Sequence, residues 1–163
     1  MANTQSMCTS FMSELMYGYH QFGQPTLTSR GSLTAPTNDT FKAALYLASA
    51  TVNANTTAYS ATNEVSGTNY TAGGVTVSNA TAPTPSNTSA TAGVAYWTRS
   101  GPITYTNVTL TTAFDAVLIY NSTQGNRAVS VHTFGSQTIT AGTFTLTMPS
   151  NTTSTALLRL STT

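Results

Sequence analysis

Ionisable side chains are nearly absent from this chain. Its 163 residues include five Lys or Arg, four Asp or Glu and two His, a charged fraction of 6% where about 25% is usual. So small a stock leaves little material for general acid–base catalysis, metal ligation or phosphate clamping, and no enzyme activity, metal or cofactor is expected. The basic residues Arg30, Lys42, Arg99, Arg127 and Arg159 are scattered. Without a cluster to displace counterions, no nucleic-acid partner is expected either. The lone Cys8 excludes an intrachain disulfide. No apolar run reaches the roughly 20 residues of a membrane-spanning helix. Met1–Ser10 lack the basic and apolar regions of a secretory leader. These absences point to a protein made in a cytosol, with no membrane partner. A surface so poor in charge has little colloidal repulsion, which suits a working life within an assembly.

Thr is what the chain has in abundance, at roughly a fifth of all positions, together with eight Tyr, six Phe and one Trp. Aromatics combined with a net charge of only +1 favour a folded chain over a disordered one. Thr alternating with apolar residues suits β-sheets that turn one face to water. The same abundance explains the recurrent Asn-x-Ser/Thr triplets, at Asn38, Asn55, Asn69, Asn79, Asn87, Asn107, Asn121 and Asn151. They arise by chance at this composition, and glycosylation would need a eukaryotic secretory route.

One segment reads as a helix, Cys8–Phe22. Phe11, Leu15 and Tyr19 recur every four residues with Met12 and Met16 beside them, an apolar stripe on a helical period. Thr9 or Ser10 is placed to cap its start, Glu14 to complement the dipole, and Gly23 and Pro25 to end it. The stripe either packs on the main sheet or docks on a neighbouring subunit, to which a Met-rich face adapts readily. Residues 24–39 then read as a loop.

From Phe41 onward strands recur at short intervals. Phe41–Tyr46 alternates. Thr56–Glu64 reads as a loop or edge strand, and glycines mark turns around Tyr70 before a strand at Val75–Val77. Ala82–Gly93 reads as a polar loop or hairpin tip, followed by a strand at Val94–Thr98. Thr106–Leu110 resumes alternation after Pro102. Phe114–Tyr120 is apolar on both faces apart from Asp115 and reads as a central, doubly covered strand. Asn121–Asn126 is a turn, and Ala128–Phe134 its hairpin partner. Thr138–Thr140, Phe144–Met148 and Ala156–Leu160 complete eight or nine strands. Such a pattern predicts a mainly β fold, an antiparallel β-sandwich (jelly-roll-like or Ig-like) with a short N-terminal helix. The division drawn along the chain is an N-terminal helix and arm, 1–40, and a β-domain, 41–163.

Few residues suggest a chemical site. His20 and His132 have no Cys or carboxylate at ligand spacing, and there is no G-x-S-x-G elbow. Asp115 is expected to pair with Arg127 or Arg159 or to face a sheet edge. Arg127 is expected to cap turn carbonyls or to pair with Asp115 or Glu64.

Two stretches carry a resemblance. FKAALYLASATVNANTTAYSATNEVSGTNYTAGG, Phe41–Gly74, and FDAVLIYNSTQGNRAVSVHTFGSQTITAGTFTLTMP, Phe114–Pro149, resemble a group of tailed-bacteriophage virion structural proteins. That group pairs F-K-x-A-L-Y…T-x-E-V-S-G-x-x-Y-T-A-G-G with a later A-L-I-Y-N…N-R-A-V and G-T-F-T. Here Val117 stands where members often have Ala. The resemblance implies no catalytic residues. It implies a place in a virion assembled in the host cytoplasm, as a capsid decoration (cement) protein on the outer head surface. Its partners would be the major capsid protein and copies of itself in a trimer or dimer. The alternative is a tail, baseplate or fibre module that binds a receptor or glycan, with Tyr59, Tyr70, Tyr96 and Trp97 stacking on sugars. Phe11, Met12, Leu15, Met16, Tyr19 and Arg30 are the partner-contact candidates. Deleting residues 1–22 is then expected to abolish head binding and leave the β-domain folded.

Overall fold

The computed structural model describes residues 2–20, 22, 38–77, 84–88, 91–98 and 101–161. The described chain is mainly β, with two antiparallel sheets and one short N-terminal helix, as the alternating Thr-rich sequence predicts. In chain order the elements are β1 (Ser6–Met7), α1 (Thr9–Met16), β2 (Phe41–Leu47), β3 (Val75–Val77), β4 (Thr84–Thr88), β5 (Thr91–Trp97), β6 (Ile103–Asn121), β7 (Arg127–Leu146) and β8 (Leu158–Ser161).

The chain forms two compact units that interleave along its length. One comprises Met1–His20, Asp39–Val77 and Ile103–Leu146; the other comprises Gln21–Asn38, Ser78–Pro102 and Thr147–Thr163. Residues 2–20 thus belong with the larger sheet, whereas the sequence suggests a separate arm.

The first unit holds a five-stranded sheet in the order β1-β7-β6-β2-β3. Its centre is β6, and the doubly apolar run Phe114–Tyr120 lies there as expected: Val117 and Leu118 are 0% exposed and Ile119 1%. β2 pairs antiparallel with this run from Phe41↔Asn121 to Leu47↔Phe114. A turn of Ser122–Asn126 joins β6 to β7. The Asn121 side-chain carbonyl accepts from the backbone N–H groups of Thr123 and Gln124, and Gly125 and Asn126 take the positive φ values of 66° and 61° that the turn requires.

β6 and β7 are 19 and 20 residues long, where the sequence reads as five shorter strands. The polar interruptions are absorbed as bulges instead of turns. Register shifts fall between Tyr105 and Val108, Val108 and Leu110, Leu110 and Phe114, and Phe114 and Ala116, with Asn107 and Ala141 at positive φ. A bulge adds a residue to one strand and bends it without ending the ladder, so Thr and Asn punctuation alone does not mark a strand end.

The second unit holds a three-stranded sheet, β4-β5-β8. β4 and the start of β5 lie within Ala82–Gly93, which reads from sequence as a polar loop or hairpin tip; β5 pairs antiparallel with β4 and continues through the expected strand to Trp97. Trp97 is buried against Phe22, ring centroids 4.8 Å apart, and Thr98 Oγ1 accepts from the Leu157 N–H.

Candidate functional site

The N-terminal helix is shorter than its hydrophobic period suggests. α1 ends at Met16, because Gly18 takes φ 72°. The Gly18 N–H bonds the Leu15 carbonyl and the Tyr19 N–H bonds that of Glu14, a Schellman motif. Gly23 and Pro25 therefore do not end it. At the start, Cys8 is the N-cap and makes no side-chain cap; neither Thr9 nor Ser10 serves as the cap.

The apolar stripe divides. Phe11 is fully buried, Leu15 is half-buried, and Met12 and Met16 are 51% and 89% exposed. Tyr19 is partly exposed, with the Arg127 guanidinium 4.4 Å from its ring centroid. Tyr17, which the periodicity passed over, is exposed and lies 5.8 Å from the Tyr19 ring. Of the sequence-derived contact candidates, Met12, Met16 and Tyr19 thus face outward, whereas Phe11 belongs to the core. Arg30 and most of the 24–39 loop lie outside the described residues. Met12 and Met16, four residues apart, share one helix face, and together with Tyr17 and Tyr19 just beyond it they are the large apolar side chains that this segment exposes, termed the ridge.

Glu14, on the buried side of α1, belongs to a polar network of which sequence spacing shows little sign. Glu14, buried, accepts from Arg127 Nη1 at 2.6 Å and bonds His20 Nε2 at 2.8 Å. His20 Nδ1 lies 3.1 Å from Asn121 Nδ2, which also donates to Asp39 Oδ2 at 2.6 Å; Gln124 Nε2 reaches Asp39 Oδ1 at 3.2 Å. The His20 ring packs edge-on to Phe11 at 4.8 Å and stacks on Phe41 at 6.2 Å. Burial lowers the His20 pKa below its ordinary value, against the pull of Glu14 and Asp39. These partners are up to 113 residues apart in the chain. That separation is why sequence spacing pairs Arg127 with Asp115 or Glu64 and not with Glu14; Glu14 lies only six residues before His20, outside metal-ligand spacing, and the reversal at Gly18 brings the two together.

The rest of the N-terminal segment is also tied to the sheet. Asn3 donates to Asp115 Oδ1 at 2.6 Å and to the Leu47 carbonyl, and accepts from the Val52 N–H. Asp115 therefore pairs with an amide from the N-terminus, not with Arg127. Arg159, in the second unit, donates to the Ser154 carbonyl. The Cys8 N–H bonds the Val129 carbonyl, and burial pushes the Cys8 thiol up to about 11. Deleting residues 1–22 would remove Phe11, Cys8 and these bonds, so the expectation that the β-domain is indifferent to that deletion is corrected.

A second constellation explains the E-V-S-G-x-x-Y-T-A-G-G stretch. The half-buried Glu64 carboxylate accepts from the Tyr59 hydroxyl at 2.6 Å, the Tyr70 hydroxyl at 2.7 Å and the Gly73 N–H at 2.7 Å. The Tyr70 hydroxyl in turn accepts from the Leu45 N–H in β2. The Tyr120 hydroxyl donates to the Gly73 carbonyl, and its ring stacks on Tyr59 at 4.6 Å. Gly74, at φ 74°, passes so close to β2 that a Cβ there would sit 1.7 Å from the Ala43 carbonyl oxygen. Burial first, and Glu64 second, hold the Tyr59 and Tyr70 hydroxyls well above the usual tyrosine range. Tyr59, Tyr70 and Trp97 are thus engaged within the fold and do not form a free stacking platform.

Two depressions of about 240 and 280 Å³ are lined mainly by Thr, Ser, Asn, Ala and Pro. Among the described residues no three or more His, Cys, Asp or Glu converge as metal ligands. What the first unit offers on its surface is therefore the Met12–Met16–Tyr17–Tyr19 ridge, on a segment tied to the sheet by buried hydrogen bonds. No protein-family model matches the chain, and no curated protein or solved structure matches it significantly.

Proposed function

We propose that this chain is a structural protein of a bacteriophage particle, a capsid decoration protein that binds the outer head surface and stabilises the lattice through its N-terminal ridge. The observation that carries the reading is how the residues resembling the phage pattern relate in space. The F-K-A-A-L-Y strand pairs with the V-L-I-Y-N strand along its length. The E-V-S-G…Y-T-A-G-G loop is bound to both, through Tyr70 to Leu45 and through Tyr120 to Gly73. The resemblance thus covers one hydrogen-bonded module and not two unconnected fragments. The exposed Met and Tyr residues supply a surface suited to a protein partner, since Met adapts to irregular contacts and Tyr combines apolar area with a polar tip. Weak contacts repeated by particle symmetry add through multivalency.

The copy number per virion tests this reading, measured by quantitative mass spectrometry against the major capsid protein. Hundreds of copies in a simple ratio to that protein are expected. A few to a few dozen would place the chain at the tail or on sparse fibres and overturn the decoration assignment. In head-binding assays, Met12→Asp with Met16→Asp is expected to weaken binding at least about tenfold, roughly 1.4 kcal/mol or more, with the melting temperature unchanged.

A further inference from the structure

We propose that the cluster around His20 is an acid-sensitive latch, in which protonation of one imidazole frees α1 and its ridge from the sheet while the centre of the sheet stays folded. This inference rests on the first unit alone and stands whether or not the particle assignment does.

The geometry allows His20 only one protonation state. Asn121 is held by four hydrogen bonds at once. Its carbonyl oxygen accepts from Thr123 and Gln124 N–H, and its amide nitrogen faces Asp39 and His20 Nδ1. Reversing the amide would break the two turn bonds and set its oxygen against the Asp39 carboxylate. The amide therefore presents N–H to His20 Nδ1, which must accept, and Nε2 carries the proton donated to Glu14. A doubly protonated ring would set N–H against N–H, in a site where Asn121 and the His20 side chain are 0% exposed.

Every described element around the ring contributes to this lock. α1 supplies Glu14 and Phe11; the residue preceding β2 supplies Asp39, and β2 itself Phe41. β6 supplies Asn121, and β7 supplies Arg127, whose charge opposes a second cation. Glu14 and Asp39 attract an imidazolium, but Glu14 is already bonded to Arg127 and Asp39 to Asn121 and Gln124. Burial of the ring outweighs that attraction, and its pKa is lowered on balance. Once the proton binds, the Asn121 contact is lost, and with it a buried tie, distinct from the Tyr19–Arg127 contact, between the residues after α1 and the β6–β7 connection.

Nuclear magnetic resonance of the full chain reads both ends of the latch. At pH 7.5 the His20 nitrogen shifts should report the neutral Nε2–H form. On lowering the pH to 5, the α1 amides should lose hydrogen-exchange protection at least about tenfold after correction for intrinsic rates, with the same midpoint as His20. Val117–Ile119 should stay protected. His20→Gln, neutral but still a donor toward Glu14, should keep α1 protected at pH 5. Protection of wild-type α1 at pH 5 overturns the proposal. So does equal loss in His20→Gln, which would assign the acid response to His132 or the carboxylates. If His20→Gln is unprotected even at pH 7.5, the wild-type midpoints decide: distinct midpoints for His20 and α1 overturn the latch, and a shared one supports it.

Discussion

Replacing Glu64 by Ala should be among the most damaging substitutions in this protein, although no catalytic or binding role is attached to it. Its carboxylate takes three donors, from Tyr59, Tyr70 and Gly73, all at 2.6–2.7 Å. Hydrogen bonds to a charged group contribute about 1.5–3 kcal/mol each. Glu64 and Tyr59 are only half-buried, so water replaces part of what is lost, and we expect a net cost of about 3–5 kcal/mol. In a chain of this length each kcal/mol lowers the melting temperature by about 2–4 °C, which gives a fall on the order of 10 °C by circular dichroism. Glu64→Gln keeps one acceptor oxygen and should lose about half as much. Alkaline titration gives a second readout. Tyr46 and Tyr120 are pushed up to about 12, chiefly by burial, and Tyr59 and Tyr70 lie higher still. Tyrosines in the unfolded chain ionise near 10. The unfolded state therefore releases protons first, and stability falls as the pH rises above about 10. In Glu64→Ala, Tyr59 and Tyr70 should ionise at lower pH than in the wild type, followed by tyrosinate absorbance. A fall in melting temperature below about 3 °C, with an unchanged tyrosine titration, would mean that these three bonds contribute little to stability.

Two further outcomes follow from the same geometry. Gly74→Ala combines left-handed strain of about 1–2 kcal/mol with a clash against the Ala43 carbonyl of about 1–3 kcal/mol. Gly125→Ala has open space around its Cβ and should show the strain alone, so equal melting temperatures for the two variants would contradict the close approach. On the acid side, burial lowers His132 to about 4. The unfolded chain then binds the proton first, and this contribution, fully present above about pH 6.5, declines as the pH falls, by up to about 3 kcal/mol at pH 4. His132→Gln should flatten urea-derived stability across that range, and an unchanged slope would exclude His132 as its source.

The class of fold and the centre of the larger sheet are written in the local pattern of residues. Phe114–Tyr120 reads as a central strand because apolar residues on both faces of a period-2 segment are stable only when both faces are covered. The Gln124-Gly125-Asn126 turn was legible because few residues tolerate positive φ. Alternation also places β2, and the Val, Tyr and Trp of Val94–Thr98 mark the second half of β5. The rest depends on contacts between segments far apart in the chain. Whether Thr106-Asn107 or Ala141-Gly142 ends a strand or bulges it depends on the partner strand, which local pattern does not contain. Phe11 and Met12 are both apolar and adjacent in sequence, and only packing on β7 and the ring of His20 sorts one into the core and the other to the surface. The pairing of Glu14 with Arg127 and of Asp39 with Asn121 is set by hydrogen-bond geometry between segments distant in the chain. With so few charges, one pairing constrains the others, and spacing along the chain carries no information about it.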